Sequence, residues 1–214
     1  MKIVAFHTDD INYNIERSRF ERSLIAANMD YEIRVFPAQE SWDDAVALKA
    51  DFLLDRRLKL KGPMVYIDVD AVVHENCAEY FDNLDCDFAA FWLEDKRFLS
   101  GTMYFADTDN AEILIRKWCD RNDTKRRHGD KTGGGQRNLW EVLDENLVPD
   151  LRQVRLPIEY CYSFRIRERF PAMIPKGFVP LIEHTIASRE NRGPSKGQVD
   201  KKRRARIKEL EQCH

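Results

Sequence analysis

The sequence predicts an α/β protein with a mainly parallel, doubly wound sheet flanked by helices. Short apolar runs at residues 2–6, Tyr31–Phe36 and Met64–Ile67 alternate with two longer amphipathic segments. This β-α-β-α-β order gives neighbouring strands the same direction, because each helix carries the chain back to the edge where the strand began. Pro37 and the pair Gly62-Pro63 end the runs where turns are needed. With 214 residues, 43% of them hydrophobic, the chain is long enough for one domain with a sizeable core.

Two helices precede the third strand. The first is predicted over residues 13–28 by its helical spacing of apolar residues. The residues expected on its buried face are Ile15, Phe20, Leu24 and Ile25. Ser41 is expected to cap the second helix. Asp43 and Asp44 would then lie in its first turn, where the helix dipole favours negative charge.

The second half of the chain continues the alternation. Further strands are predicted at residues 87–92, 102–105, 154–162 and 179–184, and further helices at 109–119 and 136–147. Residues 120–135 are polar and charged and end in three glycines, which predicts a mobile loop. Residues 195–214 are expected to form a basic helix or a disordered tail beyond a domain at residues 1–194.

Composition narrows the class of protein. The formal net charge is −2, and no apolar run approaches the ~20 residues that cross a bilayer, so no membrane span is expected. The five cysteines are dispersed and form no C-x-x-C pair. This usage predicts free thiols in the cytoplasm and argues against a zinc site.

The strongest chemical signal is a pair of aspartates, Asp68 and Asp70, directly after the third strand. Successive strand residues point to opposite faces, so these two are expected on the same side, at the sheet edge where ligands bind. Carboxylates at this spacing suit Mg²⁺ or Mn²⁺, and such an ion suits a phosphate-bearing substrate. The structural alternative is that the two carboxylates only end the strand and cap the next segment.

Other residues are candidates to join this pair. A late apolar strand delivers His184, and histidine shares Mn²⁺ sites with carboxylates. Arg189 and Arg192 follow it and suit bidentate contact with a diphosphate. Ser100 and Gly101 precede a strand and would let a ligand approach the backbone closely. The structural alternatives are a hydrogen-bonded histidine, a solvated basic loop and an ordinary turn.

The order of these segments resembles the nucleotide-sugar glycosyltransferases of the GT-A fold. The segments that carry the resemblance are 52–55, 66–72, 100–105, 135–139, 156–161 and His184 with Ser188 and Arg189. The similarity covers residues 1–192, and the ordered set is more specific than the D-x-D motif alone.

The resemblance implies a role for each matching residue. Asp70 would bind Mn²⁺ or Mg²⁺, His184 would complete the coordination, and Asp68 would contact the sugar or ribose, directly or through water. The residues expected at the nucleotide sugar are Phe6, His7, Thr8, Lys49, Arg57 or its neighbour Arg56, Ser100, Gly101, Gln136, Ser188 and Arg189. The implied donor is a UDP-sugar, and the acceptor is a hydroxyl group of a molecule that the sequence does not identify.

One departure from the family concerns Gly135. Related sequences often place an acidic residue directly before the glutamine that is Gln136 here. The candidates to take its place are Glu94, Asp95 and Glu141, and none has a motif of its own. Inversion and retention of the sugar's configuration therefore both stay open.

A haloacid-dehalogenase-like phosphatase is an alternative, because Asp68-Val69-Asp70-Ala71-Val72 also matches the first motif of that family. Asp68 would then be a nucleophile and Asp70 a general acid. Two βα units precede the motif here, whereas in that family it follows the first strand.

A nucleic-acid-binding module is a second alternative. Basic residues crowd two segments, and a density of this kind can follow a phosphate backbone. The expected contacts are Lys125, Arg126, Arg127, Lys201, Arg203 and Arg204. Both ideas meet in a glycosyltransferase whose acceptor is a hydroxymethylated base in DNA.

Overall fold

The computed structural model describes residues 1–39, 42–94, 97–129, 135–187 and 197–213. Its strands are β1 (Lys2–Thr8), β2 (Tyr31–Phe36), β3 (Met64–Ile67), β4 (Ala71–Val73), β5 (Phe88–Glu94), β6 (Arg97–Phe105), β7 (Gln153–Arg155) and β8 (Ile182–His184). Its helices are α1 (Ile11–Ala26), α2 (Trp42–Lys59), α3 (Ala78–Asp82), α4 (Asp109–Arg127), α5 (Gln136–Asp144), α6 (Phe164–Arg169) and α7 (Gly197–Cys213).

The central sheet has six strands in the order β2-β1-β3-β6-β5-β7. Parallel pairing joins β1 to β2 and β3, and β5 to β7, while β6 runs antiparallel to both of its neighbours. The predicted mainly parallel α/β sheet is therefore confirmed. A separate two-stranded sheet pairs β4 with β8, and this antiparallel pairing joins the residues after β3 to the segment before α7.

Two hydrophobic cores cover the two faces of the sheet. Alternation along β1 sends Ile3 and Ala5 into one core and Val4 and Phe6 into the other. The first core packs against α1 and α3, and the second against α2, α4 and α5. This arrangement leaves the carboxyl edge of the parallel strands open for a site.

Helix α1 differs from the predicted pattern. Phe20 and Leu24 are fully buried, but Ile15 and Ile25 are 53% and 63% exposed, so their expected burial is wrong. Polar residues complete the buried face instead: Glu16, Arg19 and Ser23. Their burial is tolerated because their side chains form hydrogen bonds within α1, with β4 and with α7.

Helix α4 is longer than predicted, and the expected loop at residues 120–135 is wrong for its first half. The helix continues to Arg127 because ion pairs join it to α5. Arg121 bonds to Glu141 and Glu145, and Lys125 bonds to Glu141 at 2.7 Å. Two of the three glycines, at 133 and 134, lie outside the described residues, as does the expected cap Ser41.

The late segments are also shorter or more ordered than predicted. The strand expected over 154–162 is reduced to β7 and followed by a short 3₁₀ turn at Ile158–Tyr160. The strand expected over 179–184 is limited to β8. The basic segment near the end forms α7, which ion pairs hold through Arg203 to Glu16 and through Arg206 to Glu183.

Four cysteines are free thiols, as expected: Cys77, Cys86, Cys119 and Cys161. Burial raises the pKa of Cys77 to about 12, which marks it as a packing residue rather than a reactive one. None of the helices within the described ranges has both the length and the apolar character to cross a bilayer.

We expect Asp87→Asn to destabilise the fold by about 1–3 kcal/mol at neutral pH. Asp87 is buried and accepts hydrogen bonds from Thr108, Asn110 and the Arg152 N–H. Burial opposes its ionisation, but these bonds hold the pKa of Asp87 below its ordinary value. The stabilisation is therefore full above the unfolded-state pKa of about 3.9 and is lost as the pH falls through the folded-state pKa.

Urea unfolding of the wild type and Asp87→Asn at pH 7 and pH 3 measures this. Asp85→Asn is the matched control, because Asp85 is 92% exposed and pairs with the same arginine. A difference between wild type and Asp87→Asn that stays constant across this pH range would contradict the assignment.

Candidate metal and substrate site

Asp68 and Asp70 lie in the tight turn between β3 and β4. The Asp68 N–H donates to the Gly101 carbonyl at 2.8 Å, and the Ala71 N–H donates back to the Asp68 carbonyl at 3.1 Å. Val69 between them is buried. The two carboxylates thus share one side because of the turn, not because of strand alternation.

His184 reaches the pair through the small sheet. In the β4–β8 register His184 lies opposite Ala71, the residue after Asp70. Its Nδ1 lies 3.7 Å from Asp70 Oδ1, and its Nε2 lies 2.9 Å from Thr102 Oγ1 on β6. Three separate strands therefore fix the imidazole ring.

The Asp70 carboxylate is 12% exposed, and the groups around it favour its charge. Oδ2 accepts the Ala187 N–H at 2.6 Å, and the backbone carbonyl of Asp70 accepts the Thr185 N–H at 2.7 Å. Burial raises the pKa of Asp70, but His184, the Ala187 N–H and the charge of Arg203 together bring it below the ordinary value. Burial lowers the pKa of His184, yet Asp70 and Cys161 raise it above the ordinary value.

The segment that wraps around Asp70 is strained. Ile186, between the two N–H donors, has a φ of 62°. This left-handed conformation is unfavourable for a β-branched residue and costs on the order of 1–3 kcal/mol. The contacts of Asp70 with both neighbours of Ile186 hold the backbone there.

Asp68 is held from the other side. Its Oδ1 accepts a hydrogen bond from Lys49 Nζ on α2 at 2.9 Å and another from the Tyr66 hydroxyl at 2.5 Å. Lys49 also lies over the Tyr66 ring, 4.5 Å from its centre. Burial and the neighbouring aspartates raise the pKa of Tyr66 and of Tyr13, so both hydroxyls keep their protons and stay donors.

A bulge in β6 brings Ser100 and Gly101 to the aspartates. The β5–β6 register jumps between the pairs Ala90–Met103 and Phe91–Leu99, which leaves Ser100 to Thr102 without partners on β5. The two small residues are thus part of a strand rather than the expected turn before one. Ser100 bonds to Gln136 Oε1 through its N–H and its hydroxyl, at 3.2 Å each.

Gly101 lies directly against His184. A Cβ atom at position 101 would come within 2.8 Å of His184 Cε1 and 3.0 Å of Nε2. Real Cβ atoms essentially never approach so closely, so only glycine leaves the imidazole in its present position.

The donor set fits a divalent cation. Asp68, Asp70 and His184 offer ligand atoms that all lie within 4.8 Å of one another. Two carboxylates and an imidazole suit Mn²⁺, and the bond from Nε2 to Thr102 is the second contact that usually orients a metal-binding histidine. Nδ1 then faces the carboxylates.

Two cavities meet at this cluster. The β1 cavity, of about 250 Å³, is lined by Phe6, His7, Thr8, Tyr13, Ala45, Val46, Lys49, Tyr66 and Val69. The α6 cavity, of about 220 Å³, is lined by Leu93, Arg97, Leu99, Gly101, Cys161, Ser163, Arg165, Ile166, Arg169, Phe170, His184 and Ile186. Asp68, Asp70, Ser100 and Gln136 line both.

Most of the residues that the sequence suggested for the nucleotide sugar line these cavities, but Arg57 and Arg56 do not. Arg57 bonds to the carbonyls of Leu60, Gly62 and Ala106, so it holds the turn between α2 and β3. Arg56 pairs with Glu32. Lys49 is at the site, where it pairs with Asp68. Residues 188 and 189 lie outside the described residues.

The structure also bears on the missing acidic residue. Gly135 is buried, and a Cβ atom there would come within 2.9 Å of a Val46 methyl group, so this chain has no room for a carboxylate at that position. Glu141 pairs with Lys125 and Arg121 on α4 and lines neither cavity. Residue 95 and the side chain of Glu94 are not described.

The basic residues suggested as nucleic-acid contacts fall into two groups. Arg203 is buried and forms an ion pair with Glu16, and Lys125 forms an ion pair with Glu141, so carboxylates of the protein already neutralise both charges. Arg126, Arg127, Lys201 and Arg204 are exposed. Nucleic-acid contact by these four stays a prediction.

Sequence reasoning missed several residues of the site. Tyr66 lies two residues before Asp68, and residues two apart along a strand point to the same face, so the sequence could have placed Tyr66 at the site. No pattern in the sequence indicates Tyr13, Thr102 or the arginines of α6, because only the tertiary structure brings them to the cluster.

No family model and no curated protein matches this sequence. Many solved structures share its fold, among them three glycosyltransferases. A glycosyltransferase involved in the glycosylation of the major capsid of PBCV-1 has a TM-score of 0.64 at 11% identity, over 95% of this chain and 98% of that one. The glycosyltransferase GlyE of Streptococcus pneumoniae TIGR4 has a TM-score of 0.58 at 16% identity, over 86% of this chain and 54% of that one.

The third is the galactosyltransferase LgtC, solved with donor and acceptor sugar analogues. It has a TM-score of 0.54 at 13% identity, over 86% of each chain. The chain spans about half of GlyE but most of the other two. These likenesses show that the chain has the GT-A fold of glycosyltransferases, as the sequence predicted.

We expect Gly101→Ala to weaken Mn²⁺ binding by roughly 10–100-fold, the usual effect of disturbing a group that orients a ligand. The new methyl group would displace the His184 ring from its present position, 3.7 Å from Asp70. Mn²⁺ titration followed by electron paramagnetic resonance measures the affinity. The urea midpoint without metal shows whether the fold is kept.

A double-mutant cycle with His184→Ala separates this effect from a general one. Once the ring is absent, Gly101→Ala has nothing to displace and its effect on Mn²⁺ affinity disappears. Equal losses in both backgrounds would mean that Gly101 does not act through His184.

Proposed function

We propose that the chain is a metal-dependent glycosyltransferase. It takes the sugar from a nucleotide-diphosphate sugar, with a UDP-sugar as the donor, and transfers it to a hydroxyl group of an acceptor. The observation that carries this proposal is the Asp68–Asp70–His184 cluster at the meeting point of two cavities. The shared fold with known glycosyltransferases supports it.

The β1 cavity suits the nucleoside. Aromatic rings line its base, where Phe6 packs 5.3 Å from Phe52 and 6.2 Å from Tyr66. His7 is buried in its wall, and its Nε2 has no hydrogen-bond partner within the described part of the chain. A buried polar atom without a partner is costly, so a polar edge of a base or ribose would stabilise it.

The diphosphate then lies at the cluster between the two cavities. Asp68, Asp70 and His184 would hold Mn²⁺ or Mg²⁺ there, and the ion would supply electrostatic stabilisation of the negative charge that develops on the leaving phosphate. Lys49 and Tyr66 orient the Asp68 carboxylate through their hydrogen bonds to Oδ1. The Ala187 N–H does the same for Asp70.

The sugar extends into the α6 cavity. The bulge in β6 brings the backbone of Ser100 and Gly101 to the wall of this cavity, where the sugar would contact it. Gln136 is oriented by Ser100, which binds its carbonyl oxygen and leaves its amide N–H groups for a ligand. The apolar side chains of Leu99 and Ile166 exclude water, which would otherwise hydrolyse the donor.

We expect Asp70→Ala to abolish metal-dependent stabilisation of the protein by UDP. For a ligand at 100 times its dissociation constant, binding adds about 2.7 kcal/mol, which is on the order of 5–10 °C in the melting temperature of a chain this long. Thermal-shift assays with nucleoside diphosphates, with and without Mn²⁺, measure this. Asp144→Ala, at an exposed carboxylate on α5, is the matched control and keeps the full shift.

Two outcomes would overturn the proposal. One is a wild-type protein that no nucleoside diphosphate stabilises in the presence of Mn²⁺. The other is turnover of simple phosphomonoesters without nucleotide binding, which would favour the phosphatase alternative.

A further inference from the structure

Three arginines converge on the α6 cavity from two directions. Arg97 comes from the start of β6, and Arg165 and Arg169 come from α6. The two residues on α6 are separated by one helical turn and therefore share a face. Arg165 is half-buried, and the other two are exposed at the cavity mouth.

These charges lack the partners that other arginines of this protein have. Arg121, Arg152 and Arg206 each pair with a carboxylate. Within the described ranges, by contrast, no carboxylate lies within ion-pair distance of the three cavity arginines. Glu168, which adjoins Arg169 on α6, is bonded to Lys202 of α7.

The three guanidinium groups also disfavour one another. Burial lowers the pKa of Arg165, and the charge of Arg169 lowers it further. Glu168 opposes this effect, and the charge of Arg97 adds a smaller lowering of the pKa. Arginine keeps its proton at neutral pH, so this repulsion stays in the folded protein. An anion among the three groups would remove it and gain charge-assisted hydrogen bonds.

The position of the arginines selects the ligand. A donor with its nucleoside in the β1 cavity brings its diphosphate to the cluster, and its sugar enters the α6 cavity. The acceptor hydroxyl then has to approach the sugar from the remaining side, where the arginines are. Leu93, Leu99 and Phe170 line the same space and can contact the acceptor's carbon skeleton.

We propose that Arg97, Arg165 and Arg169 bind a phosphate group of the acceptor. This inference rests on the proposed function and names its acceptor class: an alcohol or sugar that carries a phosphate close to the reacting hydroxyl. The shared chemistry allows two sources, a phosphate monoester on a small molecule and the phosphodiester of a longer chain. Planar guanidinium groups bind either through paired N–H donors.

The test uses the full chain saturated with UDP and Mn²⁺. Calorimetric titration compares glycerol 3-phosphate with glycerol, its neutral counterpart, and with a single-stranded DNA oligonucleotide as the phosphodiester. We expect glycerol 3-phosphate or the oligonucleotide to bind and glycerol not to bind. Arg165→Gln should weaken that binding by about tenfold or more. Arg116→Gln is the control, because Arg116 is exposed on α4 and pairs with Glu112.

Three results would overturn the inference. They are binding of glycerol as tight as that of the phosphate probe that binds, no binding of either phosphate probe, and an Arg165→Gln variant whose phosphate binding is unchanged. A loss of UDP affinity in Arg165→Gln equal to the loss of phosphate affinity would also overturn it, because the arginines would then serve the donor.

Repeating the titration without UDP and Mn²⁺ separates this inference from the proposed function. If phosphate binds in a way that depends on Arg165 but UDP does not bind, the proposed glycosyltransferase function is wrong and the arginines form only an anion site. UDP binding without phosphate binding would keep the transferase and remove the acceptor class.

Discussion

The burial of one negative charge, on Asp70, sets the architecture around the site. A buried carboxylate is stable only when donors and positive charges surround it. Here the Ala187 N–H, the His184 imidazole and the more distant Arg203 supply them. All three come from the last thirty-odd residues of the chain, so the charge requires β8 to pair with β4 and α7 to dock on the domain.

Helix α7 connects the segment around Asp70 to α1, near the start of the chain. Arg203 donates to the Thr185 carbonyl at 3.0 Å and to Glu16 on α1 at 2.5 Å. Glu16 in turn accepts from Arg19 and from the Thr185 hydroxyl. The first helix, the last helix and the segment that wraps around Asp70 thus form one buried network. The basic character of α7 serves this network, whereas the exposed Lys201 and Arg204 do not take part.

The sequence predicted the local features well and the long-range ones poorly. The strands β1 to β3 were predictable because their apolar runs are bounded by proline and glycine, and the aspartate pair because it directly follows one of them. The buried face of α1 was not, because Glu16 and Arg19 break the apolar periodicity and are buried only through partners on α7. Helix α4 extends past its apolar stripe because α5 supplies carboxylates, which no reading of α4 alone reveals. The bulge at Ser100 is a property of strand register and has no signature in composition.

The distance along the chain between Glu16 and Arg203, which is 187 positions, has a consequence for biosynthesis. A ribosome adds about 5–20 residues per second, so the Glu16 carboxylate emerges roughly 10–40 s before its partner does. During that interval β1, β2 and β3 can pair, since all their residues are already present. The charge balance of Asp70 has to wait for β8 and α7. The pairing of β1, β2 and β3 can therefore precede the completion of the cluster, which needs β8 and α7.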